Sequence, residues 1–321
     1  MLINPKYQVV KYWPLQKSPK IKYLTYGVIP FIYPTHVEVD VLFLILLMFF
    51  VFKMKNLTET FPLYQFQNLS RFSKLLHFVT TRFGGVSIAP YNSLNLGLHT
   101  ADNTAHVLQN RALLANKIGI ENDKILYASQ VHSGDVKIID DEAVADGILK
   151  TNPETDAMVT HIPGICLMVM VADCVPVLFF DPVKNVIAVI HAGWRGTVQK
   201  IVSNTIAAMK TNYGSNPSNL IAAIGPSIGP CCYEVGEEVK NCVADSFGTI
   251  QGYMIKQKES EKYNFDLWHS NHKQLIDKGL RTENIETAGI CTKCNSDTYY
   301  SSRASGGITG RFAAGLCILK T

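Results

Sequence analysis

The stretch of the chain that most constrains its fold contains two short apolar runs, Val175–Phe180 and Val186–Ile190. Both are rich in Val, Ile or Phe, and the five residues between them include a proline and an asparagine. This pattern predicts two buried strands joined by a hairpin. A tight hairpin brings the outer ends of its strands together. Cys174, just before the first strand, and His191, just after the second, are therefore predicted to be neighbours.

A third polar residue, His132, lies upstream in the loop-like segment Gln130–Asp135, which opens onto the strand-like run Val136–Ile139. Zinc favours thiolate and imidazole ligands, and a catalytic zinc has three protein ligands and one open position. His132, Cys174 and His191 would satisfy that count. Ligands this dispersed do not establish a metal site, and the alternative is a buried cysteine with two unrelated surface histidines.

The remaining apolar periodicity predicts strands with helices between and around them. A short strand is expected over Phe78–Arg82. Helical spacing is found over Asn103–Ile118 and Thr197–Tyr213, and Gly214 is expected to end the second of these helices. Hairpins together with crossovers predict an α+β fold, in which helices pack around a mixed β-sheet core in a single catalytic domain.

Composition narrows the class of protein. Residues 54–321 suit one domain with a sizeable core. The formal net charge of +4 is small, and no Lys- and Arg-rich run is interleaved with aromatic residues, so no nucleic-acid partner is expected. Eight cysteines are spread over a chain too long to need disulfides, which indicates a reducing compartment.

Residues 1–53 form an apolar leader with twelve uninterrupted apolar residues, Val41–Phe52. A membrane-spanning helix needs about 20 such residues, and no small-residue cleavage site follows the run. The leader is an over-extended gene start, a membrane anchor or a cleaved signal. We favour the first interpretation, in which the protein begins at Met54, is cytoplasmic and has no membrane partner.

Four polar residues outside the trio are candidates for chemistry. Arg82, Arg195 and Arg311 are candidate phosphate ligands, because guanidinium binds phosphate in a bidentate manner and helix N-termini such as the one near Arg195 favour anions. Asp173 could orient a ligand or carry a proton. The alternatives are surface arginines, packing of Arg195 with Trp194, and a solvated turn aspartate.

Two further cysteine pairs, Cys231-Cys232 and Cys291-x-x-Cys294, attract attention. A single CxxC pair without a second pair cannot complete a four-coordinate zinc site, and neither pair lies in a convincing βαβ redox unit. The sequence alone therefore does not favour direct chemistry for either pair.

Seven segments, in this order, resemble the laccase-domain family, which is also called the purine nucleoside phosphorylase YfiH family. The resemblance covers Phe78 to Cys317 and implies that a catalytic zinc is held by His132, Cys174 and His191. The segments are QVHSGDV, DAMVT, VADCVPVLFFDP, HAGWRGTV, GPSIGPCCYEVGEEV, DLWHSNHKQL and CTKCNSDTYYSSRASGGITGRFAAG.

The resemblance also implies an activity. Members of the family use phosphate to split adenosine, inosine and methylthioadenosine into the base and a sugar 1-phosphate, and they also deaminate adenosine. Purine nucleosides and phosphate would be the partners, Zn2+ the cofactor, and Arg82 part of the active-site region. Asp173 and Cys174 are the expected catalytic residues.

Two other enzyme classes remain open, and a binding module fits a converging thiolate and imidazoles poorly. The name laccase implies a copper-dependent polyphenol oxidase, yet the paired His-x-His ligands of multicopper oxidases are absent from this sequence, so Cu2+ would have to replace zinc at the single mixed site. A metal-free cysteine hydrolase would use Cys174 as nucleophile and His191 or His132 as base.

Overall fold

Val-, Ile- and Leu-rich runs form most strands of this protein, whose computed structural model describes residues 11–12, 61–257 and 262–320. The strands within these ranges are β1 Lys11–Tyr12, β2 Leu63–Gln65, β3 Leu75–Thr80, β4 Ile125–Tyr127, β5 Val136–Ile139, β6 Ala157–Thr160, β7 Cys166–Val171, β8 Val175–Asp181, β9 Val186–Ala192, β10 Ile221–Ile224, β11 Glu234–Val235, β12 Met254–Lys256, β13 Tyr263–Phe265, β14 Ile285–Thr287 and β15 Phe312–Ile318. The α-helices are α1 Gln67–Ser70, α2 Thr104–Ile118, α3 Asp141–Ala145, α4 Trp194–Val198, α5 Ile201–Tyr213, α6 Glu237–Phe247 and α7 Leu267–Asp277. Short 3₁₀ turns cover Asn122–Lys124, Ile148–Lys150, Pro217–Asn219 and Thr282–Asn284.

Two six-stranded sheets carry most of these strands. The first has the order β1-β2-β3-β15-β7-β4, and the second has the order β14-β10-β8-β9-β6-β5. Each sheet is mixed, because antiparallel central strands are flanked by parallel pairs such as β4 with β7 and β10 with β14. A small antiparallel sheet, β11-β13-β12, completes the described topology. The predicted α+β class with a mixed sheet core is confirmed.

Both faces of the β8–β9 hairpin are buried, which explains its uninterrupted apolar sequence. Along β8, Val177 and Phe179 pack on one side of the sheet, whereas Leu178 and Phe180 pack on the other side against the first sheet. Alternate side chains of a strand point to opposite faces, so a strand covered twice needs apolar residues throughout. Each fully buried side chain of this size contributes about 1.5–3 kcal/mol.

Helices cover the outer faces of the two sheets. On the second sheet, Ile206 of α5 and Leu275 of α7 join the buried cluster. On the first sheet, Leu114 and Ile118 of α2 do the same. The core is therefore layered as helix, sheet, sheet and helix, and the β8–β9 hairpin lies at the centre of one sheet.

The hairpin forms as predicted, with one correction. β8 and β9 pair antiparallel, with Val175 opposite Ala192. His191 therefore lies inside β9, opposite Pro176, and not beyond the end of the strand. The prediction failed by two residues because the pairing continues past the last large apolar residue. Cys174, immediately before β8, still lies at the same end of the hairpin as His191.

One predicted helix is broken. The sequence predicted a single helix over Thr197–Tyr213, whereas the structure has α4 followed by α5, with Lys200 between them in the left-handed region at φ 63°. Asn204 Nδ2 donates to Gln199 O at 3.1 Å and to Gly134 O at 2.9 Å. These hydrogen bonds stabilise the junction between α4 and α5 and connect it to the loop that follows His132.

The other helix and strand ends follow local chemistry. At the start of α2, the Asn103 side chain accepts a hydrogen bond from Ala105 N, and Gly119 ends the helix at φ 70°, as expected for an N-cap and a glycine C-cap. Gly214 ends α5 at φ 66°, as predicted. The strand predicted over Phe78–Arg82 begins earlier and ends at Thr80, so Arg82 lies in the following loop.

The predicted leader, residues 1–53, lies outside the described residues apart from Lys11–Tyr12. That short strand pairs in parallel with β2. Among the residues whose structure is described, no helix combines the length and apolar character needed to cross a membrane.

Stability should depend on pH through His77 of β3, which is 1% exposed. Phe66 N donates to His77 Nε2 at 2.9 Å, which favours the neutral ring. Burial lowers the pKa of His77 from 6.5 to about 4, and the contact of its Nε2 with Phe66 O at 3.1 Å has a smaller, opposing effect. The unfolded chain therefore takes up this proton first as pH falls.

The contribution of neutral His77 is complete above pH 6.5 and is lost as pH falls toward 4. We expect the free energy of unfolding to drop by about 3 kcal/mol across this window on account of His77. Denaturant titrations at several pH values should show the drop, and His77→Gln should flatten it. An unchanged pH dependence in His77→Gln would assign the effect to other groups.

Candidate metal centre

The structure brings His132, Cys174 and His191 together, with their ligand atoms within 4.8 Å of one another. Cys174 Sγ lies 3.8 Å from His132 Nε2, and the two imidazole rings meet edge to face at a centroid distance of 4.8 Å. Around a tetrahedral zinc, sulfur and nitrogen ligands lie roughly 3.6 Å apart. The three donors are thus close to the spacing that one ion requires.

Backbone conformation places two of the three donors. His132 is in the left-handed region at φ 62°, and Asp173, which precedes Cys174, has φ 93°. Gly193 completes the arrangement, because a Cβ atom there would lie 3.0 Å from Cys174 Sγ and 3.1 Å from His132 Cδ2. The glycine after β9 therefore leaves room for the other two donors.

A buried carboxylate, Asp156, orients the third donor. Its Oδ1 lies 2.7 Å from His191 Nδ1, and its Oδ2 accepts from Ser133 N at 2.7 Å and Val131 N at 3.2 Å. Nδ1–H of His191 is therefore held by the carboxylate, which leaves Nε2 to face the other donors. The same residue also fixes the loop that carries His132.

Asp156 was not among the residues predicted from the sequence. It is the first residue of the DAMVT segment, one position before β6, and it is 0% exposed. Its partner His191 is 35 positions away in the chain, so no local pattern joins the two. An isolated aspartate at the start of an apolar strand was the only signal.

Charge in the trio favours a metal-binding thiolate. Burial raises the pKa of the Cys174 thiol, but the positive charge of His191 and hydrogen bonds with His132 and His191 outweigh it and lower the pKa to about 6. Burial lowers the pKa of His191, whereas the Cys174 thiolate and Asp156 raise it to about 9. The thiolate is the form of cysteine that binds metals, so this donor set fits zinc.

We expect Asp156→Asn to weaken zinc binding at this centre by roughly 10- to 100-fold, the usual cost of removing a residue that orients a metal-bound histidine. Competition with a chromophoric chelator would measure the change. Asp135→Asn, an exposed aspartate of the same loop, is the matched control. Equal affinities for Asp156→Asn and the control would contradict the orienting role.

The trio lies in the wall of a cavity of about 610 Å³, within the usual range for small-molecule sites. Two arginines, Arg303 and Arg311, give the cavity a positive lining. The lining residues are His99, Gln130, His132, Met170, Ala172, Asp173, Cys174, His191, Ile228, Tyr233, Ser302, Arg303, Gly306, Gly307 and Arg311.

Asp173 is buried in this wall and is not a solvated turn residue. Its Oδ1 accepts from Thr292 Oγ1 and its Oδ2 accepts from Arg303 N, both at 2.6 Å. Its backbone carbonyl accepts from Ile228 N at 2.9 Å. Asp173, which directly precedes Cys174, thus holds two loops of the cavity wall by hydrogen bonds. Its role as a proton carrier stays a prediction.

The candidate arginines differ in position. Arg311 lines the cavity, whereas Arg82 and Arg195 are not among the lining residues. Arg82 Nη1 donates to Ser296 O at 2.6 Å and its Nε donates to Asn92 O at 3.0 Å. The Arg195 guanidinium lies 4.4 Å from the centre of the Trp194 ring. Phosphate binding by Arg82 and Arg195 stays a prediction.

One further residue that lines the cavity, Arg303, was not among those predicted from the sequence. Its Nη1 donates to Glu234 O at 2.8 Å, and its guanidinium lies 5.3 Å from the centre of the Tyr233 ring. The SSRASGG stretch that carries Arg303 was a weak signal, because a serine- and glycine-rich turn predicts only a loop.

Comparison with known proteins shows the family. The sequence model described as multi-copper polyphenol oxidoreductase laccase matches residues 76–319. A purine nucleoside phosphorylase of Bacteroides thetaiotaomicron is 34% identical over 270 residues, which cover 83% of this chain and 100% of the relative. Adenosine deaminase RL5, from an unknown prokaryotic organism, is 31% identical over 249 residues, covering 74% of this chain and 92% of the relative. The crystal structure of the Bacillus licheniformis hypothetical protein YfiH matches with a TM-score of 0.71 and 32% identity, covering 77% of this chain and 93% of that one. The resemblance seen in the sequence is confirmed, and the chain belongs to the multi-copper polyphenol oxidoreductase laccase family.

Proposed function

We propose that this protein is a zinc-dependent purine nucleoside phosphorylase. It would use phosphate to split adenosine, inosine and methylthioadenosine into the free base and a sugar 1-phosphate, with adenosine deamination as a side activity. The observation that carries the proposal is the His132–Cys174–His191 donor set in the wall of a cavity that is also lined by arginines. The printed names of the relatives, a phosphorylase and a deaminase, support the same chemistry.

The donor set would hold the metal, and Asp156 would keep His191 in the tautomer that binds it. When bound, zinc would supply a Lewis acid at this wall of the cavity. Cys174 is catalytic in this proposal as the thiolate that completes the centre. Copper could occupy the same donors, but a sequence without paired His-x-His ligands does not favour the copper-dependent oxidation of phenols.

Phosphorolysis forms a bond between a phosphate oxygen and the anomeric carbon of the sugar, and it breaks the bond from that carbon to the purine nitrogen. The chain must therefore hold a phosphate beside the sugar. Arg311 is the strongest candidate ligand because it lines the cavity. Burial lowers the pKa of its guanidinium, and the negative charges of Cys174 and Asp173 oppose that effect. Arg303 is a second candidate, and Arg82 and Arg195 would support the phosphate from outside the lining.

The departing purine needs a proton. Asp173 is the proposed proton carrier because it lines the cavity beside Cys174. In deamination, water would instead attack the purine C6 and ammonia would leave, and the same residues would hold the metal. The two activities would then share the metal and differ in their need for arginine.

The test is a product assay with the full chain loaded with zinc. Base and sugar 1-phosphate should appear from adenosine, inosine or methylthioadenosine only when phosphate is present. Loss of this activity on chelation and recovery on adding zinc would support the proposal. Activity that survives chelation but not alkylation of Cys174 would favour a cysteine hydrolase, and oxidation of phenols by the copper-loaded chain without phosphorolysis would favour an oxidase.

We also propose that the enzyme is cytoplasmic and begins at Met54. Nucleosides, phosphate and a reduced Cys174 coexist in that compartment. Peptides from residues 7–53 recovered from a membrane fraction of the native organism would contradict this proposal.

A further inference from the structure

A second cluster of metal-binding side chains lies apart from the centre described above. The ligand atoms of Cys231, Cys232, Cys291 and Cys294 all lie within 4.8 Å of one another. Cys294 Sγ is 3.7 Å from Cys231 Sγ and 3.4 Å from Cys232 Sγ. All four are free thiols. The two cysteine pairs, which are separate in the sequence, thus form one group of four sulfur atoms in the structure.

The spacing of these sulfurs matches a single tetrahedral ion. With zinc–sulfur bonds of 2.3 Å, the sulfurs of a tetrahedral site lie about 3.8 Å apart. The observed distances of 3.4 and 3.7 Å are close to that value. They are far longer than the bond of about 2.05 Å in a disulfide.

Backbone hydrogen bonds hold the two cysteine-bearing loops next to each other. Ser227 and Cys291 form a parallel bridge, in which Ser227 N donates to Ile290 O and Thr292 N donates to Ser227 O. The two cysteine-bearing loops are therefore aligned by their own hydrogen bonds.

We propose that Cys231, Cys232, Cys291 and Cys294 bind one zinc ion in a closed structural site. Four protein ligands without an open position are typical of structural zinc, whereas the catalytic type has three. Cys291 is buried, and Cys231 and Cys294 are exposed, so the ion can enter from solvent while its innermost ligand stays fixed.

The ion would fasten two loops that form the wall of the cavity. The first loop carries Ile228 and Tyr233, and the segment after Cys294 carries Ser302 and Arg303, all four of which line the cavity. Asp173 already binds both segments through Ile228 N and Arg303 N. The four-cysteine site would hold the same two segments together through a second set of contacts.

Zinc content per chain tests the proposal directly. We expect the purified full chain to hold two zinc ions by elemental analysis, one at each centre. Cys231→Ser and Cys294→Ser, both at exposed positions, should each hold one. Cys242→Ser, a partly buried cysteine of α6 outside the cluster, should still hold two.

The Cys174→Ala variant gives a second readout that leaves the cluster intact. It should keep one zinc, and cobalt in its place should show the charge-transfer and intense visible bands of a tetrahedral four-thiolate site. Cys174→Ala combined with Cys294→Ser should hold none. A Cys174→Ala variant that folds without zinc, iron in place of zinc, or a disulfide among the four cysteines in non-reducing mass spectrometry would overturn the proposal.

Discussion

Replacing Cys174 with alanine is expected to remove the zinc held with His132 and His191 and to abolish nearly all phosphorolysis. The thiolate is one of the three donors of the proposed zinc centre, and its loss would leave two imidazoles to hold the ion. Because removing a residue that merely orients a ligand already costs roughly 10- to 100-fold, loss of a ligand should exceed that. Cys174 is half-buried and lies immediately before β8, so the fold should remain intact.

The measurement is zinc per chain together with the rate of base release. Comparison in a Cys294→Ser background isolates the three-donor centre from the proposed four-cysteine site. Cys242→Ser serves as the control for removal of a thiol, and circular dichroism checks the fold. Unchanged zinc at the three-donor centre in Cys174→Ala would remove Cys174 from the ligand set.

The central hairpin was predictable because its information is local. Two apolar runs and a turn between them specify β8 and β9, and antiparallel pairing then places Cys174 beside His191 without knowledge of the rest of the chain. The turn also forms from local chemistry, since Asp181 Oδ1 accepts from Val183 N and Lys184 N. His132 could be proposed as the third donor because it lies in a polar loop before another apolar strand, and the resemblance to the family then strengthened that prediction.

The residues around the three donors were not predictable, because their positions depend on contacts between distant segments. Asp156 and His191 meet only because β6 and β9 pair antiparallel. The partners of Arg82 include Ser296, 214 positions away. A strand-end arginine beside two glycines suggested an anion site, and nothing near it in the sequence showed that backbone carbonyls accept its hydrogen bonds.

The four-cysteine cluster could not be predicted from the sequence for the same reason. Its two pairs are distant in the chain, since 63 positions separate Cys231 from Cys294. β10 and β14 are parallel neighbours, so the loops after them leave the sheet at the same edge. The parallel pairing of these strands, which the sequence did not predict, turns two unconnected cysteine pairs into one group.

Replacing Arg311 with alanine is expected to raise the KM for phosphate far more than the KM for nucleoside. Loss of a charged hydrogen-bond partner costs about 1.5–3 kcal/mol, which corresponds to a decrease of roughly ten- to a hundredfold in kcat/KM for phosphate. Deamination uses water instead of phosphate and should change less. Steady-state kinetics with each substrate varied in turn would separate these effects.

Arg82→Ala provides the matched comparison, because it removes the same charge from outside the cavity lining. Arg82 donates to Asn92 O and Ser296 O, so its loss should lower the melting temperature while raising the KM for phosphate less than Arg311→Ala does. An equal or larger KM effect in Arg82→Ala would place the phosphate nearer to Arg82, as the resemblance to the family implies. Equal loss of phosphorolysis and deamination in Arg311→Ala would instead assign Arg311 to the nucleoside or to the fold of the cavity wall.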